Sequence, residues 1–479
     1  MKTIKQKISS LPLGVKASVC YVICNILQSG VKFISLPVFS RLLSTSEMGQ
    51  VTLYTSWLNV VFIFATLSLG RANGVYYVAM SKYPNDKDTF TSAMYGLNII
   101  CCLSVFLFVL IIRSVFGDWM GIGISFYIPM FMELIGEGIV LIYSLYLRLQ
   151  YRFGLLMLVT AIYSAGNVVI SLLFILFRVF PFSGAAVRIC TGAAVSLSVG
   201  IIIVLFQKNR TKLYHRDYWK YAFLFNIQLI PHYLSGVILV QSDRIMIGKM
   251  IGKETAAIYN VAYIVSVAVQ LLTQALINYI NPWMYQKIRD GRSKEVSKNV
   301  NFIFILVGLL VCTVSLIAPE LYRVLFPPEY YEALDIIPVI SASVLWSFIY
   351  SIFTGIELYY EGNRYVSAAS CSGALVNIVL NFLLIPVFGY KVAAYTTLIG
   401  NIVYCLVHYL FASKLIKERG NNFTYKFKYN FITGSIFTMV SLGTILLYPF
   451  MKVRFASVVL VAGILFHYRR YLLGIIQKR

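Results

Sequence analysis

Charge is scarce in this 479-residue sequence, acidic charge scarcer still, and histidine nearly absent. Charged residues make up 12% of the chain, with 18 Asp and Glu against 41 Lys and Arg, while hydrophobic residues reach 59%. A water-soluble domain of this size could not cover its surface with so little charge, so a soluble fold is excluded and the bilayer must be the solvent. The four histidines, His215, His232, His408 and His467, are scattered. The eight cysteines (Cys20, Cys24, Cys101, Cys102, Cys190, Cys312, Cys371 and Cys405) show no Cys-x-x-Cys spacing. Metal clusters and disulfide frameworks are therefore not expected, and the cysteines read as small buried apolar residues. A P-loop, a dinucleotide fingerprint, a His-Glu-x-x-His zinc motif and a nucleophile elbow are all missing, and gaps between apolar runs reach only about twenty residues. The sequence points away from an enzyme and calls for no cofactor.

What is present is a series of unbroken apolar runs of about twenty residues, the length a helix needs to cross the hydrocarbon core. Membrane-spanning strands would be shorter and strictly alternating. The expected fold is all-α, a polytopic membrane bundle of about fourteen helices. We place the spans at 15–39, 50–69, 90–112, 122–147, 154–177, 183–206, 219–242, 255–283, 300–318, 333–358, 365–385, 392–411, 429–448 and 455–471. The net charge of +23 is not a nucleic-acid footprint, because the Lys and Arg residues crowd into alternate loops. That asymmetry orients membrane helices with their basic loops cytoplasmic. Both termini should be cytoplasmic, the first span should stay as a signal anchor, and the acidic loop 319–335 should face outward. Arg244, Lys249 and Lys253 run against this rule locally.

An internal echo recurs at an offset of about 208 residues. Ser29-Gly30-Val31 returns as Ser235-Gly236-Val237, and Arg41-Leu42-Leu43-Ser44 as Lys249-Met250-Ile251-Gly252. Tyr151-Arg152-Phe153 matches Asn363-Arg364-Tyr365, Ala165 to Val169 resembles Leu375 to Val379, and Gly184-Ala185-Ala186 resembles Val392-Ala393-Ala394. The shared order predicts two six-helix halves, 1–206 and 219–412, in the same orientation about an axis along the membrane normal and enclosing a central cavity. Residues 413–479 read as a basic linker and an added two-helix hairpin.

Polar side chains inside hydrocarbon need a partner or a wet cavity, so their stripes mark inward faces. One face of the first span carries Asn25, Gln28, Lys32 and Ser35; the seventh carries Gln228, His232, Ser235 and Ser242. The eighth carries Asn260, Gln270, Gln274, Asn278 and Asn281, and the second a weaker stripe of Thr52, Ser56 and Asn59. As a set they favour a cavity lining over simple hydrogen bonding between helices. Lys32 lies near mid-span, where a cation costs about 3 kcal/mol and requires either a carboxylate or a wet, anion-attracting cavity. Glu133 and Glu137, one turn apart, could pair with it, bind a coupling cation or carry protons. Arg71, Arg148 and Glu357 read as interfacial anchors, and Asp243 with Arg244 as a structural ion pair.

Several of these segments resemble a known family. Leu36-Pro37 through Arg41-Leu42-Leu43-Ser44 to Glu47-Met48-Gly49 is similar to the first helix-to-helix turn of the bacterial polysaccharide, or O-antigen, flippases. These are the Wzx-type branch of a superfamily that also holds multidrug exporters and the lipid II flippase. Asp243 to Gly248 with Ala257-Ile258-Tyr259 resembles the signature opening the second half. Asn377 to Asn381, Ile385-Pro386, Phe388-Gly389-Tyr390 and Ala393-Ala394 resemble the family's eleventh and twelfth helices. The resemblance implies alternating access by a V-shaped bundle in the bacterial inner membrane. Its cargo would be an undecaprenyl-diphosphate-linked oligosaccharide destined for lipopolysaccharide, capsule or exopolysaccharide. Lys32 and Arg71 would attract the diphosphate and the Asn and Gln stripes the sugars. A polysaccharide polymerase, a chain-length regulator and membrane lipids would be partners, and nucleic acid would not. The rival readings are a multidrug cation exporter, which would want carboxylates where Lys32 stands, a lipid II flippase and a membrane glycan polymerase.

Overall fold

A computed structural model describes residues 13–70, 83, 85–207, 212–418 and 427–467, and among them every regular element is helical. In chain order the helices are α1 (Leu13–Leu42), α2 (Thr45–Ala65), α3 (Lys87–Phe116), α4 (Tyr127–Leu149), α5 (Phe153–Leu176), α6 (Gly184–Phe206), α7 (Arg216–Ile227) and α8 (Ile230–Met250). They continue as α9 (Lys253–Arg289), α10 (Ser293–Leu325), α11 (Ile337–Tyr359), α12 (Asn363–Phe388), α13 (Val392–Glu418), α14 (Phe427–Gly443) and α15 (Met451–His467). Among the described residues, eleven helices are long and apolar enough to cross a bilayer, each falling on one of the fourteen expected spans. The first and last expected spans fall on α1 and α15, which include or border residues outside the described set. The seventh requires correction. It is not one helix but two, broken at Gln228 and Leu229. Pro231 favours the break: lacking an N–H, it leaves the Ile227 carbonyl without its helical donor, and it is well accommodated in the first turn of a new helix.

Local sequence also sets the other ends. Ser44 and Glu47 form a capping box that starts α2, with the Ser44 hydroxyl accepting from the Glu47 N–H at 3.3 Å and the Glu47 carboxylate accepting from the Ser44 N–H at 3.0 Å. The other Glu47 oxygen accepts the Gly184 N–H at 2.6 Å, so one carboxylate fixes the starts of α2 and α6. The segment 319–335, expected as a loop, is largely helical. α10 runs through Pro319 to Leu325, and Pro328–Ile336 forms a 3-10 helix. There Lys391 pairs with Asp335 at 2.9 Å and the Tyr390 hydroxyl donates to Glu332 at 3.2 Å. Burial and the neighbouring Glu332 push the Tyr390 phenol above its ordinary range, so it stays a donor.

The chain divides into two compact units, Met1–Val237 and Ile238–Arg479. In the first, α4 packs on α3 and α6, and α5 on α6. Gly136 and Gly200 permit the close approach of α4 and α6, since a Cβ at Gly136 would lie 2.2 Å from the Ser196 backbone. In the second, α11 packs on α10 and α13, and α12 on α13, which is the same neighbour order. α11 is the core, with Trp346, Phe348, Ile352 and Ile356 fully enclosed. The cysteine reading needs amending: all eight are free, but Cys190 and Cys371 are exposed on helix surfaces rather than buried.

The hairpin α14–α15 packs on α10 and α11. Its anchor is Arg454, 3% exposed, whose guanidinium grips Glu320 through both oxygens at 2.5 and 2.6 Å and donates to the Leu316 carbonyl at 3.0 Å. Arg454→Ala should remove about 2 kcal/mol from this attachment. The expected readout is a lower thermal midpoint in detergent with faster proteolysis between α13 and α15; an unchanged midpoint would contradict it.

Candidate functional site

α9 presents three distinct faces. Val269, Thr273, Ile277, Ile280 and Met284 are buried against the rest of their unit, at steps of three or four. Leu272 and Tyr279 form an exposed apolar face suited to lipid. Gln270, Gln274 and Asn278 form a third face, also exposed, with the Gln274 amide donating to Asn278 at 3.3 Å. Three exposed amides in the middle of a helix apolar enough to span a bilayer cannot rest against hydrocarbon without cost. They require water or polar cargo. Two members of the sequence-derived stripe are used otherwise: Asn260 accepts from the Arg244 Nε at 2.7 Å, and Asn281 faces Gly355, where a Cβ would come within 2.8 Å of its oxygen.

In the first unit the structure gathers Tyr54, Glu133, Asn167, Ser171 and Arg188 from α2, α4, α5 and α6. The Tyr54 hydroxyl donates to Glu133 at 2.8 Å. Arg188 donates to Asn167 and, at 3.2 Å, to Ser171, lies over the Phe39 ring at 4.9 Å, and interacts electrostatically with Glu133. Glu137 is half-buried one turn along α4. Sequence reasoning missed Arg188, although a cation five residues into an apolar run was signal enough. Asn59 is half-buried and donates to the Thr55 carbonyl of its own helix at 2.8 Å, and its stripe partners Thr52 and Ser56 are buried. Gln28 is half-buried, and Gln228 is exposed at the α7–α8 break. Arg71 and the side chains of Asn25, Lys32 and His232 lie outside the described residues.

The second unit encloses two carboxyl groups. Asp243 is fully buried, and four donors fill its oxygens: Tyr259 and Thr397 at 2.6 Å each, Asn381 at 2.7 Å and Asn377 at 3.3 Å. Ser242 donates to the Asn377 oxygen at 2.7 Å, and Thr396 donates to Asn381. The expected Asp243–Arg244 ion pair is not formed. Arg244 turns instead to Asn260, to the Val240 carbonyl and to the Tyr263 ring at 4.3 Å. Asn377 and Asn381 stood out in the sequence as a motif, but their common target did not.

Glu357 is the second carboxyl, and the interfacial-anchor reading does not hold for it. It is fully buried, with its Oε2 2.8 Å from Nδ1 of the equally buried His408 on α13. The Thr354 hydroxyl is 3.4 Å from the same ring nitrogen, and the Tyr350 and Tyr404 rings flank the imidazole at centroid distances of 5.7 and 4.7 Å. Glu357 Oε1 and His408 Nε2 are buried without a hydrogen-bond partner.

Residues 15–288 match the family described as polysaccharide biosynthesis protein. The capsular polysaccharide biosynthesis protein CapF of Staphylococcus aureus is 26% identical over 406 residues, covering 82% of this chain and 98% of that protein. The probable low-salt glycan biosynthesis flippase Agl15 of Haloferax volcanii is 20% identical over 421 residues, 84% of each. Among solved structures, an inward-facing multidrug resistance MATE family transporter of the MOP superfamily superposes with a TM-score of 0.65 at 13% identity. That match covers 85% of this chain and all of the other. The low identity makes this a likeness of fold.

Proposed function

Because this chain belongs to the polysaccharide biosynthesis protein family and has the fold of a multi-pass membrane transporter, we propose that it is a flippase for lipid-linked sugar. It moves undecaprenyl-diphosphate-linked oligosaccharide repeat units of a surface polysaccharide from the cytoplasmic to the outer leaflet of the bacterial inner membrane, by alternating access. The observation that carries this reading is the exposed amide face of α9. Gln270, Gln274 and Asn278 offer donors and acceptors without charge, which suits sugar hydroxyls. An organic cation would call for carboxylates on that face, and the acidic residue of α9 is Glu254, in the first turn. The names of CapF and Agl15, which concern capsular polysaccharide and a glycan flippase, support the same cargo class.

On this reading Lys32, mid-span by sequence, attracts the diphosphate, with Arg71 helping near the cytoplasmic mouth. Asn25, Gln28, Asn59, Gln228 and His232 extend the polar lining, and the prenyl tail stays in lipid. Glu133 and Glu137 are the places in the first unit where a coupling ion would act. The chain needs no covalent chemistry, and a polymerase that consumes the delivered repeat units, with its chain-length regulator, keeps transport running outward. The test is complementation. Deleting the gene should abolish surface polysaccharide and accumulate lipid-linked repeats inside, and Lys32→Glu, expressed normally, should fail to restore it. Full restoration by Lys32→Glu would sink the diphosphate role of this residue.

A further inference from the structure

The two buried carboxyl groups of the second unit are built for different work. Every oxygen of Asp243 is occupied by hydroxyl or amide donors, which leaves no place for a proton without displacing one of them. Glu357 has the opposite arrangement. One oxygen meets a single ring nitrogen, and the other, like His408 Nε2, has no partner although both side chains are fully buried. Each orphaned atom burdens the fold, and an apolar pair of the same volume would serve packing as well or better. An ionisable pair kept within a membrane helix bundle at that cost points to a ligand.

We propose that Glu357 and His408 form a proton-binding site that exchanges one proton with one side of the membrane in each transport cycle; this rests on the flippase reading. The proton count is simple. The neutral pair holds its protons either as carboxylic acid with neutral imidazole or as carboxylate with imidazolium. Loss of one proton leaves carboxylate beside neutral imidazole, and its return restores the neutral pair. Glu357 Oε1 and His408 Nε2 are the atoms through which that proton enters and leaves. The ionisable neighbours are Tyr350 from α11 and Tyr404 from α13, whose hydroxyl is held by Ser370 of α12 at 2.7 Å. From α9, Asn281 and Met284 reach Gly355, and among the described residues α9, α10, α12 and α14 bring no charged side chain into hydrogen-bond or ion-pair contact with the two groups. Tyr263 of α9 and Cys371 of α12 interact electrostatically with these two tyrosines, so the pair has titratable neighbours on both sides but no ion-pair partner outside itself among the described residues.

The test uses full-length protein in proteoliposomes with an undecaprenyl-diphosphate oligosaccharide, with and without a pH gradient acid on the destination side. The wild type should move the lipid several-fold faster under the gradient. Glu357→Gln and His408→Gln should lose the acceleration, moving the lipid at the same rate with and without the gradient. A wild type that moves the lipid but ignores the gradient, or a folded variant that keeps the full response, overturns the proton site and leaves the flippase reading standing. A wild type that moves no lipid overturns the flippase reading instead. The site is then judged by ring-carbon NMR of the purified protein, with His408 assigned through His408→Gln. A resonance that titrates between about pH 5 and about pH 8 supports proton exchange, and one that stays fixed overturns it.

Discussion

Asp243→Ala is expected to yield a protein that inserts into the membrane but unfolds readily in detergent and supports no transport. The substitution withdraws the common acceptor of Tyr259, Thr397, Asn381 and Asn377, residues on α9, α13 and α12. Each buried donor left without an acceptor costs about 1–3 kcal/mol. Some recover one another, since Asn377 already reaches Thr397 at 3.2 Å and accepts from Asn381 at 3.3 Å. A net loss of about 4 kcal/mol remains, a large share of the roughly 5–15 kcal/mol that holds a typical domain. Asp243→Asn should fall between, because its amide nitrogen turns a donor toward donors. Fluorescence-detected thermal unfolding ranks the three proteins. Equal midpoints would mean that the network contributes little to joining α8 to its neighbours.

The triple substitution Gln270→Leu, Gln274→Leu and Asn278→Leu should do the reverse, preserving the fold while stopping transport. Leucine is a better helix former and favours the bilayer, and none of the three side chains is buried in its unit. If each amide contributes about 1 kcal/mol of hydrogen bonding to the passing sugar, their joint loss slows transport about a hundredfold. Surface glycan in the complemented deletion strain reads this directly, with protein level as the control. Normal glycan at normal protein level would place the sugar path elsewhere.

The helices were legible because an unbroken run of about twenty apolar residues matches the thickness of the hydrocarbon core and little else in protein structure. The break before α8 was not, since an apolar window averages over a single proline. The Asp243–Arg244 pairing was misread for a geometric reason: successive helical residues point about a quarter-turn or more apart, so a charge and its sequence neighbour do not face each other. Each found partners on other helices, Asp243 on α9, α12 and α13 and Arg244 on α9. Glu357 lies two residues from the end of α11, which suggested an interface, but α13 continues past that end and covers it with His408. The sequence signal was a histidine inside an apolar run, and only packing could join it to a glutamate some fifty residues away. The amide face of α9 was the most readable part of the site, because Gln270, Gln274 and Asn278 follow helical periodicity without help from any other segment.

A lipid-linked sugar carried by this protein must change leaflet, and that change can be measured. Purified protein is reconstituted into vesicles with a labelled undecaprenyl-diphosphate oligosaccharide in both leaflets, and a glycosidase added outside then reports how much sugar can be reached. Protein-free vesicles should expose only the outer-leaflet fraction, while vesicles with the wild type should expose nearly all of it, and the α9 triple variant should resemble the protein-free case. Well-folded wild type that leaves the inner fraction protected, yet exports organic cations from the same vesicles, would contradict the account.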